Sequence, residues 1–540
     1  MKHSSFLAIF FSLCLCSSIV QIHAEQIPQT TTATVQQGDA IQQFVKADFE
    51  KRRAMLNQWP GSIAEFDQLV DLIDKNQLYQ DGAGTTYVLV DDEKLFSYPE
   101  RQELSQWPND LNQVILTNTL RSALTFGQAK TKLKSEDSAQ RLDAVKILES
   151  NLDQLDASTV AAFYAQENND KVKQALAQLK ARIDFKNPDE TTKMKALEVL
   201  KQSNSPDVLA DITAAEQITQ NPEFKKALHD AASSIQSRIQ VSEWTGHLFS
   251  GLSTASILLL AALGLAITYG LLGVINMAHG ELIMIGAYTT YVVQSFFKTH
   301  FAGMLDWYLI AAIPAAFLVS ALIGMVIERL VIRPLYGRQL ETLLATFGVS
   351  LILMQLVRMI FGAQNVEVSN ISWLSGAISI TPSLSLPYNR MAIIVFTAIV
   401  LALLIFLLQK TRFGLFVRAV TQNRQMARAV GIRSARIDMM AFGLGSGLAG
   451  LAGCALAQIG NVGPDLGQNY IIDAFLVVVV GGVGQVWGAV LAALGLGISG
   501  TVLEIGMGAV LAKIILLVLV ILFIQKRPQG LFAIKGRFVE

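Results

Sequence analysis

The sequence predicts an all-α protein: a polytopic membrane bundle with broken or re-entrant helices, preceded by a mostly helical exported domain with helix-pair repeats. Three observations predict it. Only six of the 39 glycines come before residue 250, and the long uncharged apolar runs share the later part with the other glycines. An internal repeat runs through the earlier part. A long basic loop near residue 420 fixes one side of the membrane for the later part.

The start reads as a secretory signal, residues 1–24. Lys2 and His3 precede the apolar run Phe6 to Val20, and small Ala24 stands before polar Glu25. Cleavage there removes Cys14 and Cys16 and leaves Cys454 alone, so the mature chain forms no internal disulfide. An uncleaved anchor is the alternative, and either reading exports the next region. Residues 25–40 are polar and Thr/Gln-rich, as in a flexible leader.

Residues 41–243 form the exported, periplasmic domain. "TTYVLVDDEKLFS" (Thr85 to Ser97) reads as one hairpin turning at Asp91-Asp92. "AVKIL" from Ala144 returns as "ALEVL" from Ala196, and "KQAL" from Lys173 returns as "KKAL" from Lys225, both at an offset of 52. Each unit then holds two amphipathic helices, as in helix-pair solenoids that dock proteins or act as spacers. No catalytic constellation accompanies them.

The membrane domain is 244–540. Candidate segments are 250–272, 278–297, 309–332, 342–361, 391–409, 437–459, 473–498 and 510–525. The loop from Gln409 to Asp438 carries Lys410, Arg412, Arg418, Arg424, Arg428, Arg433 and Arg436 with no acid before Asp438, which marks it as cytoplasmic. Lys526, Arg527, Lys535 and Arg537 mark a cytoplasmic C-terminus. An exported N-domain with a cytoplasmic tail needs an odd number of crossings, so one of the eight candidates is broken or re-entrant. The two places are 473–498, with its "GGVGQVWG", and the stretch "GVINMAHGELIMIGAY" (Gly273 to Tyr288). Irregular backbone at membrane depth is tolerated where protein or a water-filled cavity satisfies it. The glycines of "GLGSGLAGLAG" (Gly443 to Gly453) have the spacing that lets helices approach closely.

Missing motifs limit the chemistry. No G-x-x-x-x-G-K-[ST] occurs, and "GGVGQVWG" is not a dinucleotide fingerprint. Ser446 with His279 lacks the flanks and the third group of a hydrolase. Only His279 and His300 lie past residue 250, too few for a histidine metal site. The reading is therefore of a non-enzyme with no cofactor. A net charge of zero gives no reason to expect a nucleic-acid partner.

Taken together, "GVINMAHGELIMIGAY", "IERLVIRPLYGR", "RFGLFVRAVTQNRQMARAVGI", "VVVVGGVGQVWGAVLAALGLG" and "RPQGLF" resemble the permeases of branched-chain amino-acid-type ABC importers over about 245–540. "LETLLATFGVSLIL", "FGAQNVEVSN", "GNVGPDLGQNYIID" and "IQKRPQGLFA" are similar to the urea-transporting branch. The resemblance implies a permease in the bacterial inner membrane. Its expected partners are a second permease subunit, two ATP-binding subunits, a periplasmic solute-binding protein and membrane lipid. It also implies that Arg412, Arg418, Arg424, Arg428, Gly431 and Arg433 lie on the loop that couples to the ATPase.

Urea is small and uncharged, with four N–H donors and one carbonyl acceptor, so its path calls for carboxamide and carbonyl groups. The candidates are Asn276, His279, Glu281, Asn365, Gln458, Asn461 and Asp465. On a helix Asn276 and His279 share a face while Glu281 falls beside Tyr288 at i+7. The alternatives are an N-cap for Asn276, an interhelical hydrogen bond for His279, and an ion-pair or helix-start role for Glu281. A branched-chain or other amino acid is the alternative solute, and a stand-alone urea or amide channel the alternative mechanism.

Overall fold

The computed structural model describes residues 39–532, apart from 83, 91–93, 100–101, 105–106, 109, 153–154, 156 and 274. The signal segment, most of the leader and the last basic residues lie outside the described residues. The chain divides into two compact units, one up to Leu200 and one from Lys201 onward.

The first unit opens with α1 (Asp39–Lys46), α2 (Phe49–Asn57) and α3 (Ile63–Asp74). With α4 (Asn118–Lys132) they bury Phe44, Leu56, Phe66, Leu69 and Leu120. The expected hairpin forms as β2 (Thr86–Val90) against β3 (Lys94–Ser97), with Val88 opposite Phe96; its turn lies outside the described residues. Sequence reading missed its neighbours β1 (Leu78–Gln80) and β4 (Asn112–Gln113), which complete an antiparallel sheet of order β3-β2-β1-β4. Strands of two or three residues are too short to show a period.

The repeat has three helices per unit rather than the expected two. α5 (Ser138–Glu149), α6 (Ala157–Gln166) and α7 (Asp170–Phe185) are followed by α8 (Glu190–Leu200), α9 (Pro206–Ile218) and the start of α10. Their N-terminal signals recur at the same offset of 52. Asp137 accepts from the Ala139 N–H and Asp189 from those of Thr191 and Thr192. Asn169 accepts from Lys171 and Val172, and Asn221 from Glu223 and Phe224. Val160 on α6 and Ile212 on α9 are both fully buried. The middle helix was missed because one buried residue on α6, Val160, and two on α9, Val208 and Ile212, give no visible repeat.

The second unit contains α9 and the membrane bundle. α10 (Pro222–Leu272) is one helix of 51 residues, roughly 75 Å at 1.5 Å per residue. It runs from the last repeat helix through the first apolar segment, and the boundary expected at 243/244 falls inside it without a break. Gly273, at φ 68°, closes it in the left-handed conformation that other residues adopt only at a cost. The remaining helices are α11 (His279–His300), α12 (Tyr308–Ile327), α13 (Gln339–Phe361), α14 (Tyr388–Lys410), the short α15 (Arg412–Gln422) and α16 (Arg424–Ala429), α17 (Ser434–Leu456), α18 (Leu466–Gly481), α19 (Val486–Met507) and α20 (Ala509–Lys526). A hairpin of β5 (Ala377–Thr381) and β6 (Leu384–Pro387) precedes α14.

Among the described residues seven helices are long and apolar enough to cross a membrane. α11 is not one of them, because Tyr, Thr, Gln and Ser residues run through it beyond its polar first turn, and α18 has only 16 residues. The sequence placed one break at one of two places, and the helices are interrupted at both: α10 ends at Leu272 and α11 starts at His279, and the segment 473–498 divides into α18 and α19 at Gly482, where φ is 97°. α17 sits at the centre. Its Gly445 meets Gly264 of α10, and its Gly450 meets Gly286 of α11 backbone to backbone, contacts that a Cβ would block.

Candidate functional site

The basic loop and the start of α18 lie at opposite ends of the bundle, because α14 and α17 run between them. At the α18 end is an open polar cleft of about 560 Å³. Asn365, Asn461 and Asp465, three of the expected path residues, line it together with Arg390, Asn469 and Glu504. The backbone bridge between Val366 and Val462 holds the two loops side by side. Arg390 donates to Ser250 Oγ at 2.6 Å, and Asp465 accepts from Arg358 at 2.6 Å. Gln458 is buried beneath, where its Oε1 accepts from the Tyr308 hydroxyl and its backbone oxygen from Asn389.

The opening stretch lies deeper. His279 and Glu281 turn to different helices, but Asn276 lies before the helix and does not share a helical face with His279. α11 begins at His279. Asn276 sits in the preceding turn, where its Oδ1 accepts from the Ala278 N–H at 3.1 Å. It closes a turn just before the helix, two residues upstream of the cap position, which Ala278 occupies. His279 is fully buried and pairs through Nε2 with the Ala261 carbonyl of α10 at 3.0 Å, the interhelical bond named as its alternative. Glu281 is in the first turn of α11, but it accepts from Ser350 Oγ of α13 at 2.9 Å and makes no ion pair among the described residues. No oppositely charged side chain among them meets it at that depth, so a hydroxyl serves instead.

Sequence reasoning missed α13 as the partner of this stretch. Thr342, Thr346, Ser350, Met354 and Arg358 recur every fourth residue and turn inward; the first four are buried. Met277 donates its backbone N–H to Thr346 Oγ1 at 3.2 Å. The signal was in "ETLLATFGVS", where hydroxyls stand four apart in an apolar run.

At the basic end the arginines sort into two kinds. Arg418 donates to the Leu408 carbonyl, Arg424 pairs with Asp438 and lies 4.9 Å over the Tyr336 ring, and Arg428 donates to Ser434 Oγ at 2.8 Å. Tyr336 in turn donates to Glu328 at 2.7 Å. These arginines tie the loop to its own fold. Arg412 and Arg433 are exposed, as are Met426, Val430 and Gly431, whose φ of 88° turns the chain after α16.

Broken helices around a polar interior, a polar cleft at one end and a basic helical loop at the other define a polytopic helical membrane protein of the transport class. Residues 247–524 match the family model described as branched-chain amino acid transport system / permease component, and the chain belongs to that family. It is 30% identical over 292 residues to the high-affinity branched-chain amino acid transport system permease protein LivH of Escherichia coli K12, covering 53% of this chain and 94% of that one. BraD of Pseudomonas aeruginosa, a permease protein named for the same transport, is 29% identical over 297 residues, covering 54% and 96%. The autoinducer 2 import system permease protein LsrC of Salmonella paratyphi B is 36% identical over 130 residues, covering 22% and 38%. No solved structure matches.

These relatives are transport subunits, not enzymes. Membership implies a second permease, ATPase subunits and a binding protein, and with seven apolar helices it indicates a multi-pass inner-membrane protein.

Proposed function

We propose that this chain is the permease subunit through which an ATP-driven importer passes urea or a similarly small amide. The observation that carries the reading is the cleft at the α18 end, where Asn365, Asn461 and Asn469 gather three carboxamides in one rim. Each offers both donors and an acceptor, the complement of urea's carbonyl and N–H groups. The cleft would receive solute from a periplasmic binding protein. The basic end, with exposed Arg412, Arg433, Met426 and Val430, would meet the ATPase. Residues 41–243 would stand in the periplasm as a docking module, with α10 as a continuous support.

A branched-chain or other amino acid is the second reading. It is favoured by Arg390 and Glu504 on the same cleft, opposite charges suited to a zwitterion, and by the names of LivH and BraD. Uptake of labelled urea and labelled leucine at micromolar levels, with this gene deleted and restored, separates the two. Loss of urea uptake alone supports the proposal; unchanged urea uptake with lost leucine uptake replaces it by the second reading.

A further inference from the structure

Residues 371–387, "ISWLSGAISITPSLSLP", carry no charged side chain, although they form a connection outside the helices, between α13 and α14. At the average share of about a quarter, roughly four charges are expected in a stretch of this length. The chain folds it into the hairpin of β5 and β6, and the surface of that hairpin is open. Ile378 and Ile380, two apart on β5, are 40% and 59% exposed, and Ser379 and Ser385 are exposed as well. Among the described residues β5 pairs with β6 alone, so its other edge has unpaired backbone groups. A two-stranded hairpin is marginal in water by itself, and an open edge cannot sit in hydrocarbon.

The hairpin is held against α10. The hydroxyls of Ser242 and Thr381 lie 3.3 Å apart, and Leu384 packs over Gly246, where a Cβ would meet its Cδ1 at 3.1 Å. The Tyr388 N–H ties the base by donating to the Gly376 carbonyl at 3.1 Å. Tryptophan gives the depth of this stretch of α10. Trp244, Trp307, Trp373 and Trp487 are all more than half exposed, and they stand at the two ends of the bundle. Trp487 opens α19 just after Gly484, which meets Gly270 of α10. Trp244 lies 26 residues before Gly270 on the same helix. At 1.5 Å per residue that is roughly 39 Å, close to the thickness of a bilayer with its headgroup layers, about 40–45 Å. Trp307 and Trp373 stand at the cleft end, where Trp373 Nε1 donates to the Asp306 carbonyl at 3.2 Å. Exposed tryptophan collects at membrane–water boundaries.

We propose that the hairpin of β5 and β6 is a lipid-binding element that lies in the headgroup layer at the cleft end. Ile378 and Ile380 meet the acyl boundary, and the free edge of β5 bonds to water and headgroup oxygens. Composition argues for lipid over a docked protein. Isoleucine gains by leaving water and serine reaches headgroup oxygens, while the charge that steers a protein partner and fixes its register is missing. In this position the hairpin braces α10 where that helix leaves the bilayer, and residues 222–243 stand clear of the lipid. The inference rests on the membrane placement of the bundle and not on which solute is carried.

The test uses the full chain in its assembled importer, reconstituted in phosphatidylethanolamine and phosphatidylglycerol liposomes. Ile380→Cys is made with Cys14, Cys16 and Cys454 replaced by Ala, and is labelled with a polarity-sensitive dye. Ile218→Cys, 81% exposed at the end of α9, is the water control, and Leu403→Cys, exposed midway along α14, the hydrocarbon control. Ile378→Cys is a second site should the first variant fail to assemble. The dye on the hairpin is expected to emit to the blue of the Ile218→Cys control. It is expected to lose more emission to a lipid nitroxide near the headgroup than to one at the chain end, the reverse of the Leu403→Cys order. Adding Ile378→Asp to the Ile380→Cys variant is expected to move the hairpin's lipid-to-water population about tenfold, as loss of one buried isoleucine allows, read as new quenching by aqueous iodide. Iodide quenching before that change at the level of Ile218→Cys overturns the proposal, as does stronger quenching from the chain end. Quenching by neither lipid nitroxide nor iodide also overturns it, because a partner subunit then covers the hairpin. A failed urea assignment leaves the readout intact.

Discussion

α13 and α17 are both 23 residues long, yet the bundle uses them in opposite ways. α17 buries 83% of its apolar stretch and α13 only 22%. α17 meets its neighbours through glycine, backbone against backbone, so its position admits no slack. α13 meets α11 through hydroxyls, a carboxylate and the Tyr288–Phe361 ring contact, and meets the start of α18 through one ion pair. The difference separates a helix that sets the bundle's geometry from one that has far less apolar packing to lose. Polar contacts can be exchanged for water at small net cost, whereas a close backbone contact cannot.

Glycine substitutions break the comparison most sharply. A Cβ at Gly453 of α17 would collide with the Ile283 carbonyl and the Ala287 nitrogen of α11. Gly453→Ala is expected to cost about 3 kcal/mol or more, read as a loss of monodisperse protein in detergent or a fall in Tm of roughly 6–12 °C. Next is Ser350→Ala, which removes the hydrogen bond that Glu281 accepts at depth. About 1–3 kcal/mol is expected for that loss, with transport reduced more than stability.

Gly348→Ala tests the other side of the contrast. Nothing lies within 4 Å of a Cβ there, so the helix is expected to gain about 0.5–1 kcal/mol with transport unchanged. A strong loss at Gly348 would mean that α13 is packed as tightly as α17.

The smallest effect falls in the first unit, where Arg141 pairs with Glu167 at 2.8 Å. The Arg141 hydrogen bond holds the Glu167 carboxyl below its ordinary value of 4.5. A lowered folded-state value contributes stability that is complete above 4.5 and is lost as pH falls through the folded value. The thermal stability of the full chain is therefore expected to fall below about pH 4.5, and Glu167→Gln to flatten that dependence.

Much of the bundle was legible. Long apolar runs and glycine spacing gave the helical class and the two places where a break was expected, because each follows from the cost of bare backbone in lipid. The division between His279 and Glu281 was legible from the 100° step of a helix. Partners were not. Nothing local states that Glu281 meets Ser350 or that Arg358 meets Asp465, since those pairs are 69 and 107 residues apart. The repeat before the bundle was seen at two helices per unit and missed at the third, which buries only Val160 in one unit and Val208 and Ile212 in the next. Arg424 illustrates the limit in the basic loop: its charge was legible, but its use in gripping Asp438 and Tyr336 depends on chain folded back from elsewhere.

The central claim is that this chain passes urea only as part of a driven importer. The direct measurement is uptake of labelled urea into proteoliposomes holding this chain alone, and then the chain with its second permease, ATPases and binding protein. The account predicts no uptake by the chain alone, and ATP-dependent accumulation by the full assembly that is lost without the binding protein. Uptake by the chain alone, with no ATPase present, would contradict it.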